Sequence, residues 1–99
     1  MEIKITKENE KEVVYIEGRV DTVSSGELDA AVKPVITETD TLVFDCTEME
    51  YISSSGLRVI LGTHKAMNAK GGKLVLRHIN KEVQSVIDLT GFSKILTIE

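Results

Sequence analysis

Leu42-Val43-Phe44-Asp45-Cys46 is an apolar run broken once, and it lies between two segments whose apolar residues recur at helical spacing. A strand that is apolar on both sides must be covered on both faces, so this run is expected to be central in a sheet. Before it, Leu28, Ala31, Val32, Val35 and Ile36 fall at i, i+3, i+4, i+7 and i+8, which describes one buried helix face. After it, Leu57, Ile60, Leu61, His64 and Met67 mark a second helix from Ser54 to Lys70, and Gly71-Gly72 supplies its C-terminal stop.

The flanking segments extend the alternation. Ile3 and Ile5 alternate with charged residues and Val13-Val14-Tyr15-Ile16 is dense in β-branched and aromatic side chains, so two strands are predicted, with Asn9-Glu10 suited to the hairpin turn between them. In Val23-Ser24-Ser25-Gly26-Glu27 a serine precedes a glutamate by three, the spacing of a capping box at the start of the first helix. Pro34 falls inside that helix, where it should kink or shorten it. Leu74-Val75-Leu76 reads as a strand. Asn80 caps a helix with Val83, Val86 and Ile87 on its buried face, Gly91 ends that helix, and Ile95-Leu96-Thr97-Ile98 is a last strand.

The order is therefore β-β-α-β-α-β-α-β. Strands that alternate with helices are joined by right-handed crossovers and lie parallel. The expected architecture is α/β: one domain over residues 1–99, with a mixed, mostly parallel five-stranded sheet and helices packed on it. In such open sheets, functional groups gather beyond the carboxyl ends of the strands. That edge should carry Asp21 with Thr22, and the loop from Thr47 to Ser55.

Composition removes several classes of function. A formal charge of -4 opposes a phosphate backbone, and the lysines are scattered rather than gathered in a stripe, so direct nucleic-acid binding is not expected. No apolar run approaches the roughly 20 residues of a membrane span. Met1-Glu2-Ile3-Lys4 lacks the basic and apolar segments of a secretory leader, so the cytoplasm is the expected compartment. Cys46 has no second cysteine to pair with, and His64 and His78 complete no metal-ligand spacing. Cys46 is expected in the core, and no metal or cofactor is expected.

Ser53, Ser54 and Ser55 stand where a loop meets the second helix. Serine there accepts a hydrogen bond from a free amide of the first turn, which accounts for one of the three. At least one hydroxyl should remain free on an exposed loop. A phosphate there adds about -1.5 to -2 charges beside the positive end of a helix, a placement favourable by roughly 0.3–1 kcal/mol. Caught unpaired in a protein interface, the same dianion costs on the order of 3–5 kcal/mol, at least a hundredfold in affinity.

The stretch Asp45-Cys46-Thr47-Glu48-Met49-Glu50-Tyr51-Ile52-Ser53-Ser54-Ser55-Gly56-Leu57, followed by Val59-Ile60-Leu61-Gly62, resembles the signature of bacterial anti-sigma-factor antagonists, the STAS-domain family. Gly18-Arg19-Val20-Asp21 and Thr90-Gly91-Phe92-Ser93-Lys94-Ile95 resemble its flanking motifs. The resemblance implies a STAS-like fold and a partner-switching cycle. The unmodified protein binds an anti-sigma factor that is also a serine kinase and releases a sigma factor; the kinase phosphorylates the antagonist, and a metal-dependent serine phosphatase restores it. By position the acceptor is Ser54, and the expected partner-contacting residues are Asp21, Thr22, Ser53, Ser55, Gly56 and Arg58. Two positions depart from the family pattern: Ser53 replaces the usual aspartate before the acceptor, and Arg58 replaces a small residue, often glycine. A STAS-like scaffold that binds partners without being phosphorylated is the alternative.

Two other readings fit less well. A serine hydrolase needs a base beside its nucleophile, yet the Gly-x-Ser-x-Gly elbow is missing and His64 lies more than two turns along the helix, where it suits a core or partner-facing role. Gly71-Gly72-Lys73 resembles a phosphate loop but follows a helix and precedes a strand, the reverse of the order that aims amides at phosphate. It reads as a plain helix stop. Asp45 is expected to bond nearby loop amides. Gly62, in mid-helix, calls either for close packing or for a partner against it.

Overall fold

The β-branched run at Val13–Ile16 belongs to the longest strand of the protein. In a computed structural model, which describes residues 1–99, β1 (Glu2–Glu8) turns back on β2 (Lys11–Val20) through Asn9 and Glu10. Both turn residues have positive φ, 49° and 67°, as in the two-residue turns whose twist matches that of paired strands. There follow α1 (Ser24–Ile36), β3 (Thr41–Asp45), β4 (Met49–Ile52), α2 (Ser54–Ala69), β5 (Lys73–Arg77), α3 (Lys81–Thr90), a 3-10 turn over Phe92–Lys94, and β6 (Thr97–Ile98). The sheet order is β1-β2-β3-β5-β6; β1 is antiparallel to β2, and the other pairings are parallel. β3 is central, as its apolar run requires.

The sheet has six strands rather than five. Met49–Ile52, expected as part of a loop, is β4, and the reason lies in the length of β2. At 10 residues, β2 outruns the 5 of β3. Its residues Glu12 to Tyr15 pair with β3; past an irregularity between Gly18 and Arg19, Val20 pairs with Ile52 of β4. Gly18 takes φ +93°, which favours glycine, and lets the strand bend as it changes partner. The last strand, in contrast, is shorter than expected, because Phe92–Lys94 winds into a 3-10 turn that leaves Ile95 exposed and Leu96 buried.

All three helices share one face of the sheet. Leu28, Val32 and Val35 of α1, Leu57, Ile60 and Met67 of α2, and Val83 and Ile87 of α3 form a single core with Val14, Ile16, Leu42, Phe44, Leu74 and Leu76 of the strands. Each such side chain, fully buried, contributes about 1.5–3 kcal/mol relative to exposure. The α2 stripe is corrected by one position: Thr63 is buried, with its hydroxyl donated to the Val59 carbonyl at 2.8 Å, while Leu61 and His64 lie half-buried at the margin. Cys46 is in the core, and burial pushes its thiol up to about 12.

The second face of β3 is buried without a helix. Val13, Val43 and Val75 form a small cluster to which Tyr15 adds its ring. Charged side chains lie beside it. Arg77 Nε donates to Asp45 Oδ2 at 2.8 Å, Arg77 Nη2 reaches the Tyr15 hydroxyl at 3.3 Å, and that hydroxyl donates to Glu8. This clasp ties β1, β2, β3 and β5 together.

Helix termini follow their local chemistry. α1 runs through Pro34 in its last turn and ends at Ile36, with the Thr37 hydroxyl donated to the Pro34 carbonyl at 2.8 Å. Asn80 caps α3 by accepting from the Val83 amide at 2.8 Å, and Gly91 closes that helix at φ +79°. α2 stops at Gly71-Gly72, whose amides return to the carbonyls of Asn68 and Met67 at 3.1 and 2.9 Å. Those amides are occupied by their own helix. Gly71-Gly72-Lys73 is thus a helix stop.

Candidate functional site

β2 and β4 end side by side, with Val20 in register with Ile52, and each strand feeds a helix whose first turn opens at the same edge. The carboxyl edge of the sheet therefore presents two helix N-termini next to each other. The serine run is held against β2 by its backbone: the Ser53 amide donates to the Val20 carbonyl at 2.8 Å.

Within the run the three serines divide their tasks. Ser53 is the N-cap of α2, its side-chain oxygen accepting from the Gly56 amide at 3.1 Å and its carbonyl accepting from the Leu57 amide at 2.9 Å. Ser54 begins the helix with an exposed side chain, and Ser55 is half-buried. Only Ser53 has its hydroxyl engaged. One residue supplies the cap, and the hydroxyl that stands furthest into solvent is Ser54.

Gly56, expected among the partner contacts, is buried beneath the loop instead. A Cβ added there would lie 2.7 Å from Ile52 Cγ1 and 2.8 Å from Val20 Cγ1. Its role is to let the head of α2 settle onto the ends of the two strands. Arg58, one turn further along, is exposed, as is Gly62, around which nothing comes within 4 Å of an added Cβ. Close internal packing is therefore not the reason for a glycine at position 62.

The first helix is capped one turn earlier than the Ser24–Glu27 spacing suggested. Asp21 Oδ1 accepts from the amides of Val23 and Ser24 at 3.1 and 2.9 Å, and the Ser24 hydroxyl oxygen accepts in return from the Asp21 amide at 2.9 Å. That is a reciprocal capping box with aspartate at its head. The bonds from Ser24, with that from Val23, hold the Asp21 carboxyl below the usual aspartate range. Thr22 is exposed beside it, its carbonyl accepting the Ser25 hydroxyl at 3.1 Å. Asp21, Thr22, Ser53, Ser54 and Ser55 thus share one edge. A hollow of about 540 Å³ adjoins it, with Asp21, Glu27 and Glu50 in its walls and Arg19, whose guanidinium stacks 4.3 Å from the Tyr51 ring centre.

Asp45 bonds the loop as expected, its Oδ1 accepting from the Thr47 amide at 3.0 Å and the Thr47 hydroxyl at 2.6 Å. Its second partner, Arg77, comes from the neighbouring strand and has no local sequence signal. Burial alone would push the Asp45 carboxyl up, but the bonds from Thr47 and Arg77 outweigh burial and hold it below the usual range. A larger hollow of about 620 Å³ lies on the helix-free face between β1 and this clasp, away from the serines. Asp45, Tyr15 and Glu8 in its walls already bond one another or Arg77 and Thr47, so they do not converge on a ligand. His64, ten residues after Ser54, is about 15 Å along the helix axis, far beyond hydrogen-bond reach of the serine run.

The STAS domain profile matches residues 2–99. The chain belongs to the STAS-domain family. This STAS domain is 30% identical over 93 residues to the anti-sigma-B factor antagonist of Bacillus subtilis (strain 168), a match covering 93% of this chain and 85% of that protein. To the anti-sigma F factor antagonist of Paenibacillus polymyxa it is 37% identical over 57 residues, covering 58% of this chain and about half, 49%, of that relative. Its fold superposes on SpoIIAA of Bacillus in the unphosphorylated form with TM-score 0.83 at 18% identity, covering 99% of this chain and 88% of that one. For the phosphorylated form of SpoIIAA the TM-score is 0.76 at 17% identity, covering 99% and 91%. No helix of this STAS domain is long and apolar enough to cross a membrane.

Proposed function

We propose that this STAS domain is an anti-sigma-factor antagonist working in the cytoplasm by partner switching, with Ser54 as its phosphoacceptor. In this cycle the unmodified domain binds an anti-sigma factor with serine kinase activity through the edge bearing Asp21, Thr22, Ser53, Ser54 and Ser55, with Arg58 exposed one turn along α2. The sigma factor held by that partner is released. Phosphorylation of Ser54 by the same partner ends the contact, and a metal-dependent serine phosphatase renews it. The domain acts by contact alone, without a cofactor, chemistry of its own or direct binding to nucleic acid.

One observation carries the reading: Ser53 alone performs the capping, which leaves the Ser54 hydroxyl exposed and uncommitted at the first residue of α2. Two further facts support it. The relatives named above are called antagonists of anti-sigma factors, and SpoIIAA is described in both unphosphorylated and phosphorylated forms. The physical logic is that a free helix tolerates a dianion at its amino end, whereas an interface closing over that point does not.

The second reading, a scaffold never phosphorylated, is favoured by Ser53 itself, which puts a neutral cap where the family usually has an acid. Mass spectrometry of the protein from its native cell, with the phosphate localised by fragmentation among the three adjacent serines, separates the two. Phosphate on Ser54 is expected. A pull-down with wild type and Ser54→Asp should retain one kinase-like anti-sigma factor on wild type only, and equal retention by both contradicts the proposal.

A further inference from the structure

Of the three arginines in the chain, two have partners in the folded domain. Arg77 is paired with Asp45, and Arg19 lies over the Tyr51 ring. Arg58 is exposed and makes neither kind of contact. On a helix its neighbours are the residues three and four away, namely Ser54, Ser55, Leu61 and Gly62. None of these carries a charge, and the first turn of α2 holds no acidic residue. None of the ion pairs of the unmodified protein includes this cation. The only positions within its helical reach that can acquire one are the two serines, of which Ser54 is exposed and Ser55 half-buried.

We infer that Arg58 is a built-in counter-charge for a phosphate on Ser54. Helical side chains lean toward the amino end, so an arginine at position 58 has the turn that Ser54 opens, and not Gly62, within reach of its guanidinium. An anion at i with a cation at i+4 is the favourable order for such a pair. The planar guanidinium offers two parallel N–H donors to phosphate oxygens, which a lysine cannot match. The inference rests on the assignment of Ser54 as phosphoacceptor and adds its regulation. Arg58 draws the phosphate down along α2 once it is present, and makes the switch shallower than a small residue at position 58 would.

The test uses the full chain with phosphoserine installed at position 54 by genetic-code expansion, so that no kinase is needed, and follows the phosphate by phosphorus NMR across pH. Asp21, Glu27, Glu50 and Arg19, the charged side chains of the adjoining hollow, are the same in every sample, so differences isolate Arg58. Wild type should titrate below the usual second phosphate pKa of about 6, and Arg58→Gln should raise that value by roughly 0.3 unit, with Arg58→Lys recovering part of the shift. A phosphate paired with Arg58 brings less unpaired charge into an interface, so against the anti-sigma factor retained by the unmodified chain Arg58→Gln should widen the ratio of phosphorylated to unmodified Kd about twofold. Identical titration of wild type and Arg58→Gln overturns the pairing. Absence of phosphate from Ser54 in the native cell instead overturns the function on which it rests, and the titration still decides the pairing on its own.

Discussion

Gly56 and Val20 approach so closely that a methyl group at position 56 would stand 2.8 Å from Val20 Cγ1 and 3.1 Å from the Val20 carbonyl oxygen. The contact joins the head of α2 to the end of β2 and thereby sets the height of the serine run above the sheet. Gly56→Ala should cost about 1–3 kcal/mol, the usual penalty of overpacking, because the carbonyl oxygen cannot move aside as a side chain could. Urea denaturation monitored by circular dichroism measures it. A loss under 0.5 kcal/mol, roughly the scatter of ordinary surface changes, contradicts the packing.

Ser53 and Ser54 are adjacent, but only the first should matter to stability. Ser53→Ala removes the acceptor for the Gly56 amide and should lower stability by about 1 kcal/mol. Ser54→Ala removes a hydroxyl that bonds nothing and should leave stability within about 0.5 kcal/mol. Thermal unfolding of both variants distinguishes cap from acceptor.

Asp45 gives the fold a dependence on acid. Its folded-state carboxyl lies below the ordinary aspartate value, so its contribution is present above about pH 4 and is lost as pH falls through the depressed folded value. Stability should decline in that window, and Asp45→Asn should flatten the decline. Arg77→Met leaves the buried carboxylate with Thr47 alone and should cost about 1–3 kcal/mol at neutral pH. Chemical denaturation at a series of pH values reads both effects.

Much of this architecture was legible because the apolar period changes cleanly between 2 and 3.6 along the chain. The central run at Leu42–Cys46, the hairpin at Asn9-Glu10, the Asn80 cap and the Gly71-Gly72 stop each carry a local signal, and each is where that signal puts it. β4 carries none: Met49–Ile52 is too short to show alternation and exists because the overhang of β2 needs a partner. Ser24 and Glu27 point to the wrong cap for α1 because Asp21 and Ser24 repeat the acid-and-serine spacing in the opposite sense. Arg77 pairs with Asp45 through strand register, 32 positions away in the chain, which no local pattern discloses.

Gly62 is a glycine with open space around it in the middle of a helix. Gly62→Ala should therefore stabilise the free domain by roughly 0.5–1 kcal/mol, the helix-propensity difference, with nothing to clash. Glu10→Gly should also stabilise, by about 1 kcal/mol, since Glu10 holds a left-handed conformation at φ 67° that costs a side-chain-bearing residue. Thermal melts of the two single variants check these signs.

In the proposed cycle, charge added at Ser54 is tolerated by the folded domain and refused by its docked partner. The most direct measurement is titration calorimetry of the anti-sigma factor against the unmodified chain and the chain carrying phosphoserine at position 54, with thermal melts of both. An affinity loss of about a hundredfold or more at nearly unchanged melting temperature is predicted. Equal affinity of the two forms contradicts it.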